Sequence, residues 1–413
     1  MNNTFPKDFL WGTATAAHQV EGNNLNSDFW VMEHVSSTVF AEPSGDAIDH
    51  YHRYSQDIAM LAELGFNSYR FSVEWARIEP EDGFFSMAEL DHYRRMLETC
   101  HQSGLKPVVT YHHFTSPRWV VRQGGWHNPQ TAEKFARYSR KVTEHLGDLI
   151  ETVCTLNEVN VPRMAALLWM AGEDARESNQ AFLQQSAQAL QINPDAFAPF
   201  LFSGTDQGRE VILSAHHQAR EAIKAVRSDL PVGLTIAMQD MQALPGGEQA
   251  RDQMRREIQD VFLEATRGDD FVGVQTYSRE RYGASGNVGP EEGVELTQMG
   301  YEFWPQAIGA TLRRAHEVTG VPLMVTENGI GTTDDQRRLA YYQAALENVA
   351  ACLQDGLDIR GYFAWSAFDN FEWMMGYRPT FGLIAVDRDT QVRTIKPSAR
   401  WLGAFAREKQ TNQ

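Results

Sequence analysis

The chain is short of cysteine, of positive charge and of long apolar runs, and each shortage excludes a class of protein. Its three cysteines, Cys100, Cys154 and Cys352, are too few and too scattered over 413 residues for a disulfide framework or a zinc knuckle. They read as buried thiols acting as small hydrophobes. Lys and Arg number 37 against 54 Asp and Glu, a net charge of −17, which argues against nucleic acid or an anionic membrane surface as a partner. No apolar stretch approaches the ~20 residues of a membrane span. The N-terminus offers only Lys7 and the run Phe9-Leu10-Trp11 before polar residues resume, which does not make a signal peptide, so a cytoplasmic protein is expected. His112-His113, His216-His217 and Asp49-His50-Tyr51-His52 lack the His-Glu-x-x-His spacing, and no metal is expected. Gly283-Ala284-Ser285-Gly286 opens no helix with Lys-Ser/Thr, so a nucleotide loop is absent and no cofactor is expected.

What is present is an alternation of short β-branched or aromatic runs with longer amphipathic stretches. Eight strands are expected, at 9–16, 66–73, 106–112, 151–157, 232–239, 270–277, 322–327 and 359–366. Helical patterns fall between them at Ser55–Leu64, Met87–Ser103, Pro129–Leu146, Val211–Arg227 and Asp335–Leu353. In the last of these, Leu339, Tyr342, Leu346, Val349 and Leu353 recur at helical spacing. Gly65, Gly104 and Gly320 read as helix ends placed just before strands. Eight such alternations favour a closed (β/α)₈ barrel, an α/β fold, over an open doubly wound sheet. Residues 1–413 read as a single barrel domain. The stretch 159–210 is too long for an ordinary βα connection, and it reads as an elaborate loop on the barrel rim.

Barrel active sites lie at the C-terminal ends of strands. Those ends carry Gln19 and Glu21, Arg70 and Glu74, His112-His113, Asn157-Glu158, Tyr277, Glu327-Asn328 and Trp365, with Glu372-Trp373 just beyond. Carboxylates and amides bond sugar hydroxyls, and indole faces stack on the C–H face of a sugar ring. Two carboxyls flanking a glycosidic bond supply an acid and a base or nucleophile. Taken alone, Asn157-Glu158 and Glu327-Asn328 read first as strand-end glutamates in surface ion pairs, because such dipeptides are common. Among the other tryptophans, Trp126 and Trp304 are further candidates for the site.

The segment Phe9 to Gly22, reading FLWGTATAAHQVEG, resembles the N-terminal signature of glycoside hydrolase family 1, the β-glucosidase family. Tyr69-Arg70-Phe71-Ser72-Val73-Glu74-Trp75 is similar to its second-strand motif. Thr155-Leu156-Asn157-Glu158 resembles the acid/base motif, Thr326-Glu327-Asn328-Gly329 the nucleophile motif, and the run from Trp365 to Trp373 the glycone-binding loop. The five motifs occur in family order and leave out only 160–210.

The resemblance implies a retaining β-glycosidase on a (β/α)₈ barrel, acting on a small-molecule glycoside. Glu327 would be the nucleophile and Glu158 the acid/base, with Arg70 and Tyr277 holding the nucleophile. Asn157 would bind the 2-hydroxyl, Gln19, His113, Glu372 and Trp373 the remaining hydroxyls, and Trp365 would lie under the ring. Glu372-Trp373 disfavours the phospho-sugar branch of the family, and Glu158 departs from the thioglucosidases, which carry Gln there. Val159 stands where the family has Pro, Phe114 where a Trp borders the pocket, and Gln275-Thr276-Tyr277 replaces Asn-Tyr-Tyr. β-Glucosides are expected first, with β-galactosides and β-fucosides beside them. Two alternatives are transglycosylation onto a specialised acceptor enclosed by 159–210 and a sugar-binding barrel without turnover. Nothing in the sequence sets an oligomeric state.

Overall fold

The computed structural model describes residues 5–169 and 173–411. Eight parallel strands close into a barrel: β1 (Leu10–Ala14), β2 (Ser68–Ser72), β3 (Lys106–His112), β4 (Thr152–Leu156), β5 (Val232–Ala237), β6 (Phe271–Thr276), β7 (Leu323–Asn328) and β8 (Ile359–Trp365). β1 pairs with β2 on one side and β8 on the other, which completes the ring. These are the eight expected strands. They read as near-continuous apolar runs because helices cover the outside while the inside is packed. Val108, Val109, Val153, Leu234, Ile236, Val272, Val274 and Val325 are all fully buried. Small residues make room for large ones inside: a Cβ on Gly12 would lie 2.6 Å from the Phe363 ring.

Outside lie α1 (His50–Leu64), α2 (Met87–Gln102), α3 (Gln130–Leu146), α4 (Asp206–Val226), α5 (248–265), α6 (Ala307–Thr319), α7 (Asp335–Gln354) and α8 (Pro397–Thr411). Side-chain oxygens start several of them, Ser86 accepting from Glu89 N, Thr205 from Gly208 N, and Asp334 from Gln336 N and Arg337 N. Gly65 and Gly320, expected as stops, close α1 and α6 with φ of 115° and 67°. α5 passes through a π-helical turn at Arg256–Asp260.

Two small sheets lie outside the barrel and were not expected from the sequence. One joins Asp240–Ala243, Arg279–Gly283 and Gly286–Asn287, and the glycine pair 283–286 is its hairpin turn. The other pairs Ile384–Val386 with Arg393–Ile395. The 159–210 stretch is largely helical, with Val161–Met164, a π-turn at Ala165–Trp169, Glu173–Ala189, and short 3₁₀ turns at Pro194–Ala196 and Phe200–Phe202. Residues 170–172 of that stretch lie outside the described residues. Its Phe200 packs against Phe114 and Trp126, and its Phe182 against Phe40, so the segment forms part of the wall at the barrel mouth. No helix among the described residues is long and apolar enough to cross a membrane.

Candidate active site

A bulge in β7 positions the first carboxylate. Val325 stands opposite Val274 and Glu327 opposite Gln275, so Thr326 is an extra residue in the ladder. Bulges re-aim side chains in this way beside functional sites. Both oxygens of Glu327 are held, Oε1 by Arg70 Nη1 at 2.7 Å and Oε2 by the Tyr277 hydroxyl at 2.6 Å. Arg70 Nη1 also donates to Thr326 O at 3.1 Å, and Nη2 donates to Asn157 Oδ1 at 2.6 Å. One buried guanidinium from β2 therefore ties β7 to the end of β4. Because Arg70 occupies Asn157 Oδ1, the amide nitrogen of Asn157 faces His113 Nε2 at 3.1 Å. Burial, then the charges of Arg70 and His112, hold the His113 pKa well below the usual imidazole value, so the ring is neutral.

Glu158 leaves β4 in the left-handed region, with φ of 45°. Phe114 and Trp373, also at the mouth, share that conformation at 68° and 52°, and strained non-glycine residues of this kind cluster at functional sites. No hydrogen bond or ion pair from a described residue holds the Glu158 carboxyl. Burial first, then the charges of Glu327 and Glu372, push its pKa well above the ordinary carboxylate value against the pull of Arg70. Burial raises Glu327 as well, but Arg70 and Tyr277 oppose it directly. Of the two coupled carboxyls, Glu327 gives up its proton first and Glu158 retains one.

The loop after β8 completes the mouth. It leaves the strand through a cis peptide at Trp365–Ser366 and is pinned to β1 by Ala367 N donating to Ala14 O at 3.1 Å. Gln19 Nε2 donates to Phe371 O at 2.6 Å, and Phe371 N returns to Gln19 O at 3.3 Å. The rings of Trp365 and Trp373 lie 5.9 Å and 6.0 Å from His113, nearly parallel to it. Glu372 is pushed well above the usual range by burial, and the charge of Glu327 adds to this against hydrogen bonds from Trp365 and Asn370. Gln19 Oε1, His113 Nδ1 and Glu372 Oε1 are buried without a protein partner. Each such atom costs roughly 1–3 kcal/mol if left unpaired, and all three follow the C-terminal ends of barrel strands, where a hydrogen-bonding ligand would satisfy them. Among the described residues no group of three His, Cys, Asp or Glu is placed to hold a metal ion.

The match to known proteins has the same extent as this architecture. The Glycosyl hydrolase family 1 sequence model matches residues 1–264 and 274–411. The chain belongs to glycosyl hydrolase family 1. Beta-glucosidase A of Thermotoga maritima is 32% identical over 431 aligned positions, covering 96% of each chain. The bifunctional beta-D-glucosidase/beta-D-fucosidase of Bifidobacterium breve is 31% identical, covering 98% of each. The solved structure of beta-glycosidase BGL167 is 58% identical with a TM-score of 0.95, covering 98% of this chain and 97% of that one. As a family 1 member, the chain is a glycoside hydrolase with a (β/α)₈ barrel.

Within this family 1 barrel, several residues named from the sequence stand apart from the mouth. Glu21 turns back to Arg77 at 2.9 Å and Tyr93 at 3.0 Å, while Glu74 accepts from Thr115 at 2.7 Å. Trp126 is fully buried, donates to Ser116 Oγ at 3.0 Å and packs on His112, so it supports the wall rather than the ligand surface. Trp304 packs against the outer three-stranded sheet, where the Arg279 guanidinium lies 3.7 Å above its ring and Asp240 Oδ2 accepts from its Nε1 at 3.3 Å. His112 bonds Ser116 Oγ at 3.0 Å, and burial pushes its pKa down to about 3. His216 is a core residue between Thr155 and Asp269. Two contributors to the site were not singled out. His18 lies flat on Trp373 at 5.8 Å and is fixed by Glu33 at 2.7 Å; its place inside the N-terminal motif was the available signal. Thr235 bonds both Asn157 and Glu158, and nothing in the β5 sequence marks it.

Proposed function

We propose that this family 1 enzyme removes terminal β-linked sugars by retaining double displacement. Glucose is the foremost glycone, with fucose and galactose also accepted. Glu327 attacks the anomeric carbon as the glycosidic bond breaks, and Glu158 gives its proton to the departing oxygen. Glu158 then takes a proton from water, which attacks the same carbon and releases Glu327. The observation that carries this reading is the unequal treatment of the two carboxyls: Glu327 is clamped by a cation and a phenol, whereas no described residue clamps Glu158, which lies within the field of Glu327. Esterification of Glu327 removes its negative charge, so the Glu158 pKa falls as its role changes from acid to base. Asn157 suits the 2-hydroxyl, Trp365 the ring face, and Gln19, His113, Glu372 and Trp373 the remaining hydroxyls. A carboxyl and a primary amide can bond a 4-hydroxyl in either configuration, which supports gluco- and galacto-glycones. The whole chain acts as one catalytic unit, with 159–210 as part of its mouth. A panel of nitrophenyl glycosides tests the reading: β-glucoside and β-fucoside release nitrophenol and α-glucoside does not. No release from any β-linked sugar would overturn it.

The pH profile of kcat/KM is expected to be a bell. Glu327 must be ionised, so activity falls as pH drops through its raised pKa. Glu158 must be protonated, so activity falls as pH climbs through its own, higher pKa. Tyr277→Phe removes a charge-assisted bond of ~1.5–3 kcal/mol. We expect kcat to fall about 10–100-fold, with the acid limb moving to higher pH because a donor that favoured ionised Glu327 is gone. A lowered kcat with an unmoved acid limb would remove Tyr277 from that role.

A further inference from the structure

We infer that Thr235 is a positioning residue that aims the carboxyl of Glu158, an inference that rests on Glu158 being the acid/base. Thr235 lies in the interior of β5 and is fully buried. Its two oxygens take the two peptide N–H groups on either side of the Glu158 α-carbon. Oγ1 accepts from Glu158 N at 3.0 Å, and the backbone oxygen accepts from Val159 N at 3.2 Å. A proline at 159 has no N–H and could not make the second bond. Asn160 extends the seam, with Oδ1 accepting from Ala237 N at 2.9 Å and Nδ2 donating to Ala237 O at 2.7 Å. Three consecutive residues thus dock on β5.

The seam matters because it is the restraint that reaches Glu158 from another strand; within its own turn, Glu158 O also accepts from Val161 N at 2.9 Å. Its carboxyl has no holding partner among the described residues, so its direction follows from its backbone. That backbone is in the left-handed region, which a side-chain-bearing residue keeps only where its surroundings impose it. The Thr235 hydroxyl supplies one bond of that restraint from inside the barrel. The same hydroxyl donates to Asn157 Oδ1 at 3.2 Å, but Arg70 already holds that oxygen at 2.6 Å. Removing the hydroxyl therefore leaves Asn157 in place, and the effect falls on Glu158.

The consequence is a loss confined to substrates that need proton delivery. In Thr235→Val the β-branched shape is kept, and the Glu158 N–H meets a methyl group. For methyl β-glucoside, whose leaving group needs a proton, kcat/KM is expected to fall about ten-fold or more. For 2,4-dinitrophenyl β-glucoside, whose leaving group needs none, it should change by less than two-fold. Thr235→Ala should behave like the valine variant, and Thr235→Ser, which keeps the oxygen, should restore the parent ratio. Because the readout is a ratio of two substrates on one preparation, a change in the folded fraction cancels. Equal losses on both substrates, or no loss on either, would overturn the inference. Glu158→Gln, run in parallel, separates the two levels of failure. If it shows the leaving-group dependence and Thr235→Val does not, only the positioning role falls; if it shows none, the acid assignment itself falls.

Discussion

Glu327→Gln lowers turnover of aryl β-glucosides by at least about 10⁴-fold, even where the leaving group is excellent. The amide cannot form the glycosyl ester, and it removes the negative charge that faces the developing oxocarbenium ion. The loss therefore cannot be recovered by changing the leaving group, the pH or an added nucleophile on the acid/base side. Glutamine keeps the shape of the side chain, and Arg70 retains Asn157 Oδ1 and Thr326 O as partners. The fold is thus expected to survive, which near-ultraviolet circular dichroism checks. A second consequence has a definite sign. Glu158 is held high partly by the charge of Glu327, so in Glu327→Gln its titration, followed by difference infrared spectroscopy, moves to lower pH. Turnover within ten-fold of the parent would remove Glu327 from the nucleophile role, and an unmoved Glu158 would remove the coupling.

Glu158→Ala separates the two chemical steps. General acid catalysis contributes about 10²–10⁴-fold, so kcat/KM on methyl β-glucoside falls by that order while 2,4-dinitrophenyl β-glucoside still forms the intermediate. Breakdown then lacks its base, and dinitrophenol appears as a burst followed by a slow steady state. Azide needs no base and fits where the carboxyl stood, so it should accelerate that steady state and yield β-glucosyl azide. The β configuration of that product is itself a test, because attack on a covalent glycosyl-enzyme restores the starting stereochemistry. An α-azide, or a lack of acceleration, would contradict the assignment.

How much of this was legible depended on burial. The eight barrel strands could be read because both of their faces are covered, which leaves β-branched runs such as Pro107-Val108-Val109-Thr110-Tyr111 uninterrupted by charge. Positive-φ glycines at 65, 104 and 320 marked where helices hand over to strands. The outer sheets escaped notice because they are short and half exposed: Arg279-Glu280-Arg281-Tyr282-Gly283 has neither alternation nor an apolar run. The 159–210 stretch was expected as an elaborate rim loop containing helix-like pieces; Glu173–Ala189 is such a helix, its bounds blurred in the sequence by polar residues such as Asn179, Gln180, Gln184 and Gln185.

At the site, Arg70, Asn157, His113, Tyr277 and Glu327, all named through the family resemblance, are joined in one hydrogen-bonded chain. What sequence could not show was the support beneath them. Thr235 looks like any strand threonine until β4 and β5 are set side by side. Trp126, a further candidate for the site from the sequence, donates its indole N–H to Ser116 inside the wall. Motifs name groups at the barrel mouth, whereas the partners that orient those groups follow from packing between strands distant in sequence.

The central claim is a covalent glycosyl ester on Glu327, and trapping that ester tests it most directly. A 2-deoxy-2-fluoro-β-glucoside carrying dinitrophenolate as leaving group slows both steps through its fluorine, while the leaving group drives the first. The account predicts time-dependent inactivation, a mass increase of one fluoroglucosyl group, and a peptide map that places it on Glu327. Turnover of ordinary β-glucosides without any trapped adduct, or an adduct on another residue, would contradict it.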